Sequence, residues 1–189
     1  MDFPRHFGLL WILLLGCSAC GGGASSEPAP PPEPLAPEVE DDLLSRLSMQ
    51  LIAQPTSQAH RDQNLIVDYA IENLLDLKST RSGLFYQMTT PGDQDDIPPR
   101  WGDVLVLQYR GTFLDGSVFD QSTPQKPFKV KLRQVIPGWQ EALQLMRKGG
   151  KGTFILPSHL AYGPEGLAGK IAPHSILKFE IELVDIDRY

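Results

Sequence analysis

After Lys78 the apolar residues change their spacing, from the three-and-four steps of a helix to the every-second-residue rhythm of a strand. Upstream of the switch, Val39, Leu43, Leu44, Leu47, Leu51 and Ile52 recur at helical intervals between Glu38 and Gln54. The acidic cluster Glu38, Glu40, Asp41 and Asp42 suits a helix N-terminus electrostatically, and Pro55 stops the run. A second helix is predicted from Asp62 to Leu77, with Leu65, Ile66, Tyr69, Ala70, Asn73 and Leu74 along one side. Downstream, short strands are predicted from Leu84 to Met88, Val104 to Tyr109 and Thr153 to Leu156, the last closed by Pro157. Phe128, Val130 and Leu132 alternate with Lys129 and Lys131; Leu177, Phe179, Ile181 and Leu183 alternate with Lys178, Glu180 and Glu182. One amphipathic helix fits Gly138 to Arg147, with Trp139, Ala142, Leu143 and Met146 on one face and Gly149-Gly150 as its stop. Antiparallel strands and a single covering helix make an α+β domain, preceded by short N-terminal helices.

The chain before Glu38 reads as an export signal followed by a stretch, residues 21–37, that cannot build a core. Leu9 to Leu15 is an apolar run too short to span a bilayer, for which about 20 residues are needed, but suited to a signal peptide over residues 1–16. Leu14-Leu15-Gly16-Cys17 resembles the bacterial lipobox, which implies lipidation of Cys17, with Cys20 as a competing acceptor. The alternative is an ordinary secretory signal. Residues 17–37 form a Gly/Pro-rich tether, with three consecutive glycines and six prolines between Gly21 and Pro37. Residues 38–78 are then a helical N-terminal segment whose apolar surface needs a partner. Two outcomes stay open for it: packing on its own domain, or pairing with a second copy into a homodimer.

Composition removes several classes of chemistry. Both cysteines of the 189-residue chain lie in its first 20 residues, so the body has no disulfide framework, Cys nucleophile or cysteine metal site. His60, His159 and His174 lack a nearby nucleophile in an elbow sequence, and the last two, 15 apart, lack further ligands for a metal. Gly149-Gly150-Lys151-Gly152 follows a helix instead of opening one, which argues against a phosphate loop. Residues 1–99 carry 5 Lys/Arg against 14 Asp/Glu, and residues 100–189 carry 12 against 9. That small basic excess, scattered through Lys126, Lys129, Lys131, Arg133, Arg147, Lys148 and Lys151, is no nucleic-acid-binding stripe.

What remains is a set of aromatic residues beside turns. Tyr109-Arg110-Gly111-Thr112-Phe113-Leu114-Asp115-Gly116-Ser117-Val118-Phe119-Asp120, Val135-Ile136-Pro137-Gly138-Trp139, Ala161-Tyr162-Gly163 and the terminal Phe179-Glu180-Ile181-Glu182-Leu183 strand occur in one order and spacing. Together they closely resemble the FKBP-type peptidyl-prolyl cis–trans isomerases, over roughly Ser82 to Asp187 of an isomerase domain at 82–189. The resemblance implies a twisted antiparallel sheet wrapped around one short helix, with a proline-binding pocket between them. Its walls would be Tyr109, Phe119, Phe128, Val135, Ile136 and Phe179, and its floor the indole of Trp139. Asp120 would sit at the rim facing the rotating amide, Tyr162 would donate to a substrate carbonyl, and Ile171 would pack on the flanking residue. Catalysis would then rest on Asp120, Tyr162 and Tyr109, with no cofactor and no metal.

The chain departs from the family pattern in places. Gln121-Ser122-Thr123-Pro124-Gln125 lacks the basic residue that often pairs with the aspartate, which predicts a less constrained Asp120. Gln134 replaces a usual acid, and Leu167 and Lys170 stand where His and an apolar residue are common. The leading expectation is an isomerase for proline-containing exported polypeptides, lipid-anchored in the bacterial envelope and facing the periplasm. Ser18 after Cys17 favours the outer membrane. The competing readings are a non-catalytic proline-peptide binding module and a chaperone that does not use the pocket. The chaperone would lose its aggregation suppression on deletion of residues 38–78 while peptide isomerisation persisted.

Overall fold

The longest alternating run becomes the centre of the sheet. In the computed structural model, which describes residues 35–188, seven strands pair antiparallel throughout: β1 (Lys78–Ser79), β2 (Phe85–Thr90), β3 (Val104–Thr112), β4 (Val118–Gln121), β5 (Phe128–Lys131), β6 (Lys151–Leu156) and β7 (Leu177–Asp187). Their order is β1-β2-β6-β7-β3, and β4 and β5 share the far edge of β3. β5 lies opposite Val104–Leu107 and β4 opposite Arg110–Thr112. The predicted signal peptide, Cys17, Cys20 and the predicted tether up to Pro34 lie outside the described residues.

The α-helix α3 (Pro137–Gln144) covers one sheet face, burying Trp139, Ala142 and Leu143 against Leu105, Leu107, Phe154, Leu156, Leu177, Phe179, Ile181 and Leu183. Pro137 opens it at a position where a missing N–H costs nothing. Gly138 allows the close approach: a Cβ there would lie 2.4 Å from Leu156 Cδ2. α3 is shorter than its apolar pattern predicts, because Leu145 begins a turn in which Met146 still reaches the core.

The N-terminal helices α1 (Pro37–Ser48) and α2 (Gln58–Glu72) cover part of the opposite face. Leu43, Leu47, Ile66, Val67 and Ala70 pack with Leu77, Phe85, Ile155 and Ile176 in a second apolar cluster. Alternation explains the division, since Leu84 and Phe154 point to the α3 side while Phe85 and Ile155 point to the α2 side.

Both helices differ from the sequence expectation. α1 ends early because Asn64 of α2 takes the backbone of Ile52, accepting its N–H at 2.8 Å and donating to its carbonyl at 2.8 Å. α2 starts a turn earlier, with the Ser57 hydroxyl accepting the N–H of His60 at 3.2 Å as an N-cap. It also stops sooner, where Leu74 takes a φ of 50°. Its buried residues are Asp62, Ile66, Val67 and Ala70, while Leu65 and Leu74 of the predicted side face solvent. Among the described residues no helix is long and apolar enough to cross a membrane.

Candidate active site

The concave side of the sheet meets the start of α3 in a cavity of about 190 Å³. Its lining brings together Tyr109, Phe119, Asp120, Phe128, Val135, Ile136, Trp139, Tyr162 and Phe179 from six separate stretches of chain, with Val130 and Gln134 beside them. Trp139 is only 5% exposed. Around it the rings stand edge-on: Tyr109 and Phe179 each at 5.1 Å between centroids, at 81° and 84°, and Phe128 at 6.1 Å and 81°. Phe119 meets Phe179 at 5.5 Å and 86°. Edge-to-face packing offers ring edges and faces as a box wall without polar atoms. The buried indole Nε1 has no hydrogen-bond partner among the described residues.

Local sequence builds each wall. Phe128 stays 38% exposed, at the mouth, because β5 lies on the outer edge of β3. Gly111 makes room for Phe119 to lie across the strand: a Cβ there would come within 2.7 Å of the Phe119 ring and 3.0 Å of Phe179. Val135 and Ile136 form an extended link into α3, fixed by the Gln140 side chain donating to the Val135 carbonyl at 2.8 Å. Tyr162 follows a 3-10 turn at Ser158–Leu160, and the turn is closed by Gly163, φ 58°, donating to the Ser158 carbonyl at 2.8 Å.

The polar part of the site is a short chain at the rim. Tyr109 Oη donates to Asp120 Oδ2 at 2.9 Å, and Lys170 Nζ approaches Asp120 Oδ1 at 3.5 Å. Burial first, and then the hydrogen bond to Asp120, hold the Tyr109 phenol above its ordinary range, so it remains a neutral donor. The missing basic residue after Asp120 therefore does not leave the carboxylate without a cation. Lys170 supplies one from the loop beyond Tyr162, a pairing between residues 50 positions apart that adjacent-residue reading does not reveal. With both side chains about half exposed, the pair orients Asp120 more than it stabilises the fold.

Ile171 is placed differently from the others. It is 5% exposed and belongs to the main core, outside the cavity lining. Ladder bonds of 2.8 Å in both directions with Leu167 clip its loop. Val130 and Gln134 are the lining residues not singled out from sequence as walls. The strand alternation placing Val130 on the side of Phe128 is the signal for the first; Gln134 has none beyond its position next to Val135. Among the described residues no group of three or more His, Cys, Asp or Glu is arranged to hold a metal ion.

A half-wrapped antiparallel sheet, one short helix and a ring-lined hollow between them is the architecture that the resemblance of the sequence motifs implies. Residues 95–184 match the family model of the FKBP-type peptidyl-prolyl cis-trans isomerase. A protein of Neisseria meningitidis named probable FKBP-type peptidyl-prolyl cis-trans isomerase FkpA is 42% identical over 111 residues, which are 58% of this chain and 40% of that protein. The Legionella longbeachae outer membrane protein MIP is 32% identical over 164 residues, 82% of this chain and 68% of its own length. The crystal structure of a peptidyl-prolyl cis-trans isomerase from Pseudomonas syringae superposes with a TM-score of 0.61 at 31% identity, covering 72% of this chain and 98% of that one. The chain belongs to the FKBP-type peptidyl-prolyl cis-trans isomerase family. Its match to the FkpA-type relatives spans less than half of their length.

Proposed function

We propose that this protein accelerates rotation about X–Pro bonds in exported polypeptides, from a lipid anchor at Cys17 in the bacterial envelope. The observation that carries the catalytic part is the box of edge-on rings over Trp139 with a polar pair at one rim. Rotation faces a barrier of about 18–20 kcal/mol from amide resonance, and unassisted it takes tens to hundreds of seconds. No nucleophile or proton transfer is needed. The site has only to bind the twisted amide better than either planar form.

In this reading the proline ring enters against Trp139, with Tyr109, Phe119, Phe128, Val135, Ile136 and Phe179 excluding water from the bond. An amide carbonyl stripped of water has less charge separation to stabilise, and its resonance weakens. Tyr162 donates to a carbonyl of the bound peptide. Asp120, held by Tyr109 and Lys170, faces the twisted group, and Ile171 supports the flanking loop from the core side. Residues 17–37 act as the tether, residues 38–78 as a helical segment and residues 82–189 as the isomerase domain. The signal-like start and the resemblance to an outer membrane protein support the envelope location, with the outer membrane favoured.

A protease-coupled assay on an Ala-Pro peptide tests this. Asp120→Ala removes a charged hydrogen-bond acceptor and is expected to lower kcat/KM roughly 10- to 100-fold, against roughly 3- to 10-fold for Tyr162→Phe. Wild-type protein no faster than either variant would leave the binding-module reading in place.

A second reading has one observation in its favour. Val39, Met49, Leu51, Leu65 and Leu74 are large apolar residues of the helical segment that remain exposed. They suit a surface for unfolded clients or for a second copy of the chain. If it is used, Leu65→Asp together with Met49→Asp halves the mass seen by sedimentation or abolishes aggregation suppression. Neither change would alter peptide isomerisation.

A further inference from the structure

Asp62 is the one polar residue in the buried stripe of α2, one turn before Ile66 and two before Ala70, and it has no exposed surface. Nothing in the pocket uses it. Burying a carboxylate costs several kcal/mol unless its lone pairs are occupied, and here they are. Oδ2 accepts the Ser158 N–H at 2.8 Å and the Ser158 hydroxyl at 2.6 Å, and Oδ1 accepts the Gln58 side-chain amide at 2.7 Å. An aliphatic residue would continue the stripe without that desolvation, so packing alone does not account for an acid at this position.

The location of Ser158 supplies the reason. It begins the 3-10 turn that leads into Tyr162. Its carbonyl accepts the N–H groups of Ala161 at 3.0 Å and Gly163 at 2.8 Å, the two neighbours of Tyr162. Asp62 thus holds the N–H and hydroxyl of a residue whose carbonyl holds both sides of the tyrosine. We infer that Asp62 is a positioning residue for Tyr162, through which the N-terminal helix sets the rim of the isomerase pocket. The catalytic consequence rests on the pocket reading given above; the structural one does not.

The test uses the full chain with Asp62→Leu, Asp62→Asn, Tyr162→Phe and the Asp62→Leu/Tyr162→Phe double variant, at a temperature where each is folded. Asp62→Leu is expected to shift the Tyr162 ring resonances and to speed amide exchange at Ser158 and Gly163 about 10-fold or more. It should lower kcat/KM by up to the roughly 3- to 10-fold that loss of the Tyr162 hydroxyl costs, since small misplacements of a positioned group are costly. Tyr162→Phe should then cost much less in the Asp62→Leu background than alone, because the hydroxyl is already misplaced. Asp62→Asn, whose amide oxygen can accept both Ser158 donors, should recover most of the loss. A purely stabilising role moves the melting temperature but leaves the two substitutions multiplicative. Unchanged Tyr162 resonances and exchange in Asp62→Leu, or an undiminished Tyr162→Phe effect in that background, overturns the inference. If Tyr162→Phe has no effect in the unmodified chain, the role of the hydroxyl falls and the resonances and exchange alone judge Asp62. Should Asp62→Leu fail to fold, Ser158→Ala removes the hydroxyl donor only and carries the same comparison at smaller amplitude.

Discussion

Starting the chain at Lys78 is expected to unfold most of the domain instead of releasing an independent isomerase. The helices removed bury Leu43, Leu47, Ile66, Val67 and Ala70, and their loss uncovers Phe85, Ile155 and Ile176, which are 1%, 0% and 8% exposed in the intact chain. Full burial of one such aliphatic or aromatic side chain contributes about 1.5–3 kcal/mol. A domain of this size has a net stability of only about 5–15 kcal/mol. Several such burials disappear at once, and the Ser158 N–H loses its buried acceptor. Denaturant unfolding of the full and the shortened chain side by side measures the difference. A truncated chain with an unchanged midpoint and full peptide activity would show that the helices are an attachment, as a chaperone arm would be. The expected result instead is a large fall in midpoint, with binding of a hydrophobic dye to the uncovered sheet face.

Replacing Trp139 with alanine is expected to remove both activity and a large part of the stability. The indole is nearly buried and contacts three other rings within 6.1 Å between centroids. Deleting a buried Trp or Phe side chain typically costs about 3–5 kcal/mol, from lost transfer energy and from the void left behind. The same void lies beneath the proposed proline position, where the floor supplies much of the contact that holds the ring during rotation. Trp139→Phe keeps a flat apolar floor of smaller area. It is expected to retain most of the stability and to lose activity only in part. The measurements are a urea titration and kcat/KM for the two variants, read together. Wild-type kcat/KM in Trp139→Ala, in whatever fraction stays folded, would remove the indole from the site.

Much of the site was legible in the chain because its wall residues sit in short motifs tied to turns. Phe119-Asp120 follows a hairpin whose Gly116 takes a positive φ, and Val135-Ile136 precedes a proline that opens a helix. Local geometry of that kind is decided by residues within a few positions of one another. The N-terminal helices were legible only in part. Their period is visible, but a helix with apolar residues on more than one side does not say which face will be covered, and Leu65 and Leu74 were left outside. The unbroken Phe154-Ile155-Leu156 run was the available hint that something covers the second face of the sheet, since a half-exposed strand alternates.

By itself the order of residues determined which main stretches become strands and which helices, and it marked the aromatic residues that gather around Trp139, because periodicity and turn chemistry act over short distances; the central place of Leu177–Asp187 came only with the sheet order. Only the tertiary structure decided that Lys170 would pair with Asp120, that Ile171 would turn into the core, and that Asp62 would reach a serine 96 residues away. Those pairings depend on where separate elements come to rest against each other. Long-range contact is set by packing of whole faces, to which no single stretch of sequence has access.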